Sequence, residues 1–225
     1  LLTGSFRPEA DMRALRAYLR HRSMLLEYRA AHIQHMQKAL QQMNLQLTQV
    51  LSNIVGQTGM AIIRAILAGE RDPKALSHLR DGHCHATEQD IIKALTGNYR
   101  AEHLFALQQA VALYDVYGEQ MRLCDEQILK QYAAIKPIFE TPPNKPDDDA
   151  GSIEAPAFSP KRTNRGRNSP EFDVRSQLYR ITGVDLIAID GLNDSSAQAI
   201  LAEIGTDMSK FKSEKHFCSW LGLAP

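Results

Sequence analysis

The chain has 225 residues, 44% of them hydrophobic and 23% charged, a composition that allows one or two globular domains and argues against disorder throughout. Lys plus Arg and Asp plus Glu are equal at 26 each, so overall charge draws the chain toward no partner, and any nucleic-acid contact has to come from a local basic patch. The scattered cysteines Cys84, Cys124 and Cys218 suit reduced thiols better than a disulfide framework, no run of about eighteen apolar residues occurs, and the first residues lack a basic-then-apolar leader, so the expectation is a soluble cytoplasmic protein with no membrane partner.

Ser5-Phe6-Arg7-Pro8-Glu9 reads as a helix start: proline at an early position, where its missing N–H costs nothing, followed by an acid in the first turn. Met12, Leu19, Leu26, Ile33, Leu40 and Leu47 then recur at an interval of seven, with Leu15, Arg22, Arg29, Met36, Met43 and Val50 on the companion track. This pattern predicts a long heptad coiled-coil helix ended by Gly56 and Gly59, with Arg22 and Arg29 marking a weaker, more polar stretch of its seam. A short apolar helix follows Gly59 and stops at Gly69; Asp72-Pro73 starts another turn, and Thr87 with Asp90 forms a capping box for a helix closed by Gly97-Asn98. His83-Cys84-His85 has too few ligands nearby for a metal site and reads as a solvated loop. From about Tyr99 to Ile135 a second heptad helix carries Leu107, Tyr114, Met121, Ile128 and Ile135, with Leu104, Val111 and Tyr132 on its companion track and Gly118 and Asp125 interrupting it. The two long helices can fold back as an antiparallel pair or pair with a second chain.

Residues 137–170 hold seven of the ten prolines, an acid run at Asp147, Asp148 and Asp149, and a basic cluster of Lys161, Arg162, Arg165 and Arg167. This is a disordered linker by composition, whose basic end could follow a phosphate backbone or be a solvated charge run. Residues 171–225 have the grammar of a helix-hairpin-helix: Ile189-Asp190-Gly191-Leu192-Asn193, then Ala197 six positions after the glycine, where a small side chain permits close helix approach. Thr182 is expected to cap a first hairpin helix over 184–189, Asp194 or Ser195 to cap the second, and Asn193 to tolerate a left-handed turn position. The amides around Gly191, Leu192, Asn193, Ser195 and Ser196 are candidates to hold a phosphate oxygen, flanked by Lys210, Lys212 and Lys215. Ser213 is expected to cap a last helix with Phe217, Trp220 and Leu221 facing inward. An ordinary hairpin that packs and binds nothing is the competing reading. The expected fold class is thus all-α: a helical coiled-coil region over 1–136, the linker, and a small helix-hairpin-helix domain over 171–225.

Several stretches together resemble one family. The run from Ile181 to Pro225, with its I-x-G-V opening, the A-x-x-I-L-A-E-I-G helix, Ser209-Lys210-Phe211 and the W-L-G-L-A-P close, is similar to the first part of the C-terminal transposase domain of DEDD-type insertion-sequence transposases, whose members include bridge-RNA-guided recombinases. The segments YRAAHIQHMQKALQQMN, GERDP and ALTGNYRAEHLFALQQA resemble that family's middle coiled-coil region. The resemblance implies a DNA partner, a guide RNA as a further partner, and homo-oligomers built through the coiled coil. It also implies a resolvase-like nuclease domain whose four acids bind divalent metal such as magnesium, and a nucleophilic serine in a Ser-Gly-Gly motif. Both are expected outside residues 1–225, so the chain is expected to be a fragment; it is assigned no catalytic residue, no metal ligand and no cofactor of its own. Ser195 and Ser213 are explained by capping, and no base is spaced around Ser195 or Ser196. The alternative is a structural coiled-coil oligomerisation protein that binds no nucleic acid; an isolated enzyme is disfavoured because no acid, base or metal constellation is assembled.

Overall fold

The computed structural model describes residues 9–138, 166 and 168–220, and among these the secondary structure is helical with no strand. The helix start at Ser5 to Pro8 and the basic cluster Lys161, Arg162, Arg165 and Arg167 lie outside the described residues. Helix α1 spans Ala10–Gln42 and α6 spans Ala101–Ala134; between them come α2 (Leu47–Val50), α3 (Gln57–Leu67), α4 (Pro73–Ser77) and α5 (Glu88–Ala94). After the linker come α7 (Val174–Thr182), a 3₁₀ turn over Leu186–Ala188, α8 (Asp194–Ile204), a second 3₁₀ turn over Met208–Lys210, and α9 (Glu214–Trp220). The chain divides into two compact units, Met24–Met121 and, together, Leu1–Ser23 with Arg122–Pro225.

In the unit Met24–Met121, the heptad positions of α1 and α6 face one core. Met36, Leu40 and Met43 are buried with Leu107, Val111 and Tyr114. The antiparallel sense is set by side-chain pairs: Arg29 lies over the Tyr114 ring, 4.1 Å from its centroid, and Tyr28 and His32 meet Tyr117. Gly118, an apparent gap in the α6 pattern, leaves the space that the Arg29 guanidinium fills, since a Cβ there would lie 3.2 Å from Nη2.

The first long helix ends earlier than its heptads suggest. It stops at Gln42, and Asn44 turns the backbone into the left-handed region at φ 57°. The chain end so freed is taken up by the insert: Asn98 donates its amide to Met43 O at 2.9 Å and Gln46 donates to Ala94 O at 2.7 Å. Leu47 continues the period of seven but is buried in the insert's own core with Leu45, Ile62, Ile63, Ile66, Leu76, Ile91 and Leu95. Each such aliphatic side chain, once fully buried, contributes about 1.5–3 kcal/mol of transfer free energy. Contrary to expectation, Gly56 and Gly59 do not terminate a helix but begin one: Gly56 is the N-cap of α3 and Gly59 sits in its first turn against the Ile54 backbone.

Local signals elsewhere hold their places. Gly69, at φ 107°, follows the end of α3; Asp72 accepts from Lys74 N and Ala75 N ahead of Pro73; and the Thr87 hydroxyl accepts from Asp90 N while the Asp90 carboxylate accepts from Thr87 N. Arg80 ties the His83-Cys84-His85 loop by donating to Cys84 O and Ala86 O, while His83 is fully exposed beside Asp81.

In the other unit, the first turns of α1 and the last turns of α6 pack against the hairpin helices. Met12, Leu15, Ile128, Tyr132 and Ile135 share the interior with Val174, Leu178, Ile181, Ala197 and Leu201. Arg22 and Asp125, each a polar interruption of its own heptad track, form a buried ion pair, and Arg22 Nη2 also donates to Asn168 O at 2.9 Å.

Candidate nucleic-acid interface

The hairpin module is built from short-range caps. Asp173 caps α7 by accepting from Ser176 N at 3.2 Å, and Gly183, at φ 71°, closes that helix. Thr182 is the last residue of α7 rather than the cap of a following helix: its hydroxyl donates to Leu178 O and accepts from Val184 N. The next element is only the 3₁₀ turn Leu186–Ala188, because Gly183 and the hydroxyl of Thr182 have already turned the chain away from helix. In the turn ahead of α8, Gly191 takes a positive φ of 88°.

Asn193 corrects two expectations. Its φ of −114° is extended, not left-handed, and it is itself the N-cap of α8, its Oδ1 accepting from Ser196 N at 2.9 Å. Asp194 and Ser195 are therefore the first residues of α8, and Ser195 is an exposed hydroxyl not accounted for by capping. Ala197, six positions past Gly191, is fully buried, which lets α8 lie close on the packed interior. Gly191, Asn193 and Ser195 are exposed, while Leu192 and Ser196 are half-buried. This leaves the leading end of α8 open to solvent, where the positive end of the helix dipole favours an anion.

Two arginines lock the module in place within its unit. Arg16 of α1 donates through Nε to Ala202 O at 3.1 Å and through Nη2 to Glu203 O at 3.0 Å, satisfying carbonyls at the trailing end of α8. Arg180 of α7 donates likewise to Tyr132 O and Ile135 O at the trailing end of α6. A cation at a helix C-terminus satisfies orphan carbonyls and meets the negative end of the dipole. The Tyr132 phenol, whose pKa burial pushes well above its ordinary value, donates to Gln198 Oε1 at 3.2 Å.

The electrostatics of the hairpin are mixed. Acids outnumber bases over residues 171–220, so a bound phosphate must be held by directed donors rather than by a general positive field. Arg175 grips Asp185 with two bonds, of 3.0 and 2.5 Å, and its hydrogen bonds hold the Asp185 carboxyl below the usual carboxylate range. Asp185 is depressed in the folded protein, so its contribution is present above the unfolded pKa of about 3.9 and is lost as pH falls through the lowered folded value. We expect thermal unfolding monitored from pH 6 downward to show the loss beginning near pH 4, and Asp185→Asn to remove that component of the pH dependence.

Lys210 ends the second 3₁₀ turn, 3.6 Å from the Asp207 carboxylate, and Lys212 and Lys215 are exposed. Ser213 precedes α9, as expected, its hydroxyl accepting from His216 N at 3.4 Å. The aromatic residues differ from expectation. Phe211, Phe217 and Trp220 cluster on one another, with centroids 5.0 to 6.5 Å apart, and Trp220 is 42% exposed instead of facing inward; Leu221 lies outside the described residues. An exposed aromatic beside lysines is a surface on which bases stack. The alternation of Lys210, Phe211, Lys212, Lys215, Phe217 and Trp220 was the signal for it in the sequence.

Residues 183–225 match the model of the Transposase IS116/IS110/IS902 family. The match supports a transposase. It begins at Gly183, the residue that closes α7, and takes in the whole hairpin, the lysines and the aromatic cluster. No curated protein and no solved structure matches the chain.

Proposed function

We propose that the chain binds nucleic acid in DNA transposition, as the arm and hairpin parts of a DEDD-type insertion-sequence recombinase of the bridge-RNA-guided kind. The observation that carries this reading is the family match over 183–225, which coincides with the module whose Asn193, Ser195 and lysines are exposed. In this reading Gly191, Leu192, Asn193, Ser195 and Ser196 frame a phosphate oxygen at the start of α8. Lys210, Lys212 and Lys215 follow the next phosphates, and the linker cations Lys161, Arg162, Arg165 and Arg167 extend the track. The partners are DNA and a guide RNA, a second copy of the chain associates through the long helices, and the compartment is the cytoplasm.

Strand cleavage in this reading needs a divalent metal such as magnesium and a nucleophile. Among the described residues no group of three or more His, Cys, Asp or Glu is placed to hold a metal, and the Asp185 carboxylate is engaged by Arg175. The described residues do not fit that metal, and no catalytic step is assigned to them.

Phosphate contacts release counterions, and each one steepens the fall of log K with log salt by about 0.9 on duplex DNA. Binding of the chain to duplex DNA or structured RNA should therefore weaken steeply between low and moderate salt. Changing Lys210, Lys212 and Lys215 to Glu should lower affinity at least about tenfold while the oligomeric state and helicity hold. Affinity that is absent, or flat with salt, would favour the purely structural reading of the long helices.

A further inference from the structure

A groove of about 360 Å³ runs along the helix pair in the unit Met24–Met121, near the lower end of the roughly 300–1,000 Å³ typical of small-molecule sites. One wall is one face of α1, with His32, His35, Lys38 and Gln42; the other is α6, with Gln109 and Leu113; and three alanines, Ala39, Ala106 and Ala110, complete the lining. On both helices the spacing is three, four or seven, which puts these side chains on one face beside the heptad seam. The three alanines flank the seam positions Leu40, Leu107 and Val111, and their small side chains leave the groove open. No carboxylate lines it.

The lining is specific in its chemistry. His32 stacks on Tyr117 with centroids 5.4 Å apart and meets His35 edge-on at the same separation. Its Nδ1 is shut from solvent without a hydrogen-bond partner. Burial, with the neighbouring His35, lowers the His32 pKa, which favours its neutral ring. His35 and Lys38 are exposed at the rim, where an imidazole and an ammonium three residues apart can meet one phosphate. The apolar part of the lining is Ala39, Ala106, Ala110 and Leu113, and the Gln42 and Gln109 amides supply donors and acceptors beside it.

We propose that this groove seats one unpaired nucleotide of a nucleic-acid strand, its phosphate between His35 and Lys38 and its base on the alanine floor against Gln42 and Gln109. The proposal rests on the nucleic-acid reading above but concerns a surface separate from the hairpin. A bare anion would use only the rim, and an apolar ligand only the floor; the combination of both with two amides is what a nucleotide matches.

The test uses the full chain, with histidine ring signals followed by NMR during titration with uridine 5′-monophosphate, uridine, inorganic phosphate and a short oligouridine. The monophosphate should shift the His32 and His35 signals and bind at least tenfold more tightly than uridine or phosphate, and the oligouridine should compete for the same signals. The variant H35A/K38A, and separately Gln109→Glu, which adds a like charge to the phosphate, should each weaken both ligands at least tenfold with helicity unchanged; both sites are exposed and should fold. Monophosphate that moves no imidazole signal, or binds these variants as well as the parent, overturns the site, and so does an oligouridine that fails to compete. If the groove titrates as described while the chain shows no salt-dependent affinity for duplex DNA or structured RNA, the hairpin reading fails and the groove stands.

Discussion

Removing either partner of the Arg22–Asp125 pair is expected to destabilise the protein by about 3–5 kcal/mol, because the survivor is then a buried charge with no counter-charge. The two side chains are 10% and 7% exposed, so water cannot take the place of the missing partner. Both variants Arg22→Leu and Asp125→Leu should lower the urea midpoint sharply. The double variant should recover most or all of the loss, since replacing a buried pair by packed hydrophobic residues is commonly neutral or stabilising. A double variant as unstable as the sum of the singles would show that the Arg22 bond to Asn168 O, not the ion pair, carries the effect. The double variant should also lose selectivity of pairing: with leucine at both positions, the seam no longer distinguishes this antiparallel register from slipped or intermolecular ones.

The second large effect is expected at two glycines of the insert. In an ordinary helix Gly→Ala is stabilising by about 1 kcal/mol. At Gly59 of α3 the sign should reverse, since a Cβ there would collide with the carbonyl group of Ile54, and backbone cannot rotate aside as a side chain can. At Gly97 a Cβ would collide with Met43 O and come within 2.9 Å of the Leu45 side chain, at the point where Asn98 N bonds Met43 O and latches the insert onto the end of α1. Each Gly→Ala change should cost about 3 kcal/mol, at the upper end of ordinary overpacking, read as a drop in melting temperature and loss of amide protection over 43–98. Gly82→Ala is the control: nothing lies within 4 Å of the place its methyl would take, and the change should hold the melting temperature or raise it by about one to four degrees. If Gly59→Ala proves as mild as the control, the close approach of α3 to the Ile54 backbone is wrong.

Much of the fold was legible because its signals are local. Asp72 with Pro73, Thr87 with Asp90, and Gly69 act through bonds to residues at most a few positions away, and they sit where their residue types require. The heptad tracks were legible too, since period alone identifies the buried face: Leu107, Tyr114, Met121 and Ile128 of α6, and Ile135 just past its end, are all buried. Period does not say what the face is buried against. Leu47 fits the α1 track, yet it belongs to the insert's core, so the pattern ran past the true helix end at Gln42. In the hairpin, both Asn193 and Ser195 are good capping types close together in sequence, and which one caps depends on where Gly191 turns the chain.

The amino-acid sequence by itself determined that this protein is all-α, where α4, α5 and α9 begin, and which positions lead toward an interior, because those properties depend on neighbours within one or two turns. Tertiary structure decided which interruptions of the heptads are compensated. Arg22 meets Asp125 across 103 positions, and Arg29 settles over Tyr114 in the space Gly118 leaves. It also decided how the hairpin is held, through Arg16 reaching carbonyls of α8 that lie 186 and 187 positions away. A charged side chain in a seam is a defect in one helix and a bond in two, and only the fold that brings the second helix alongside tells them apart.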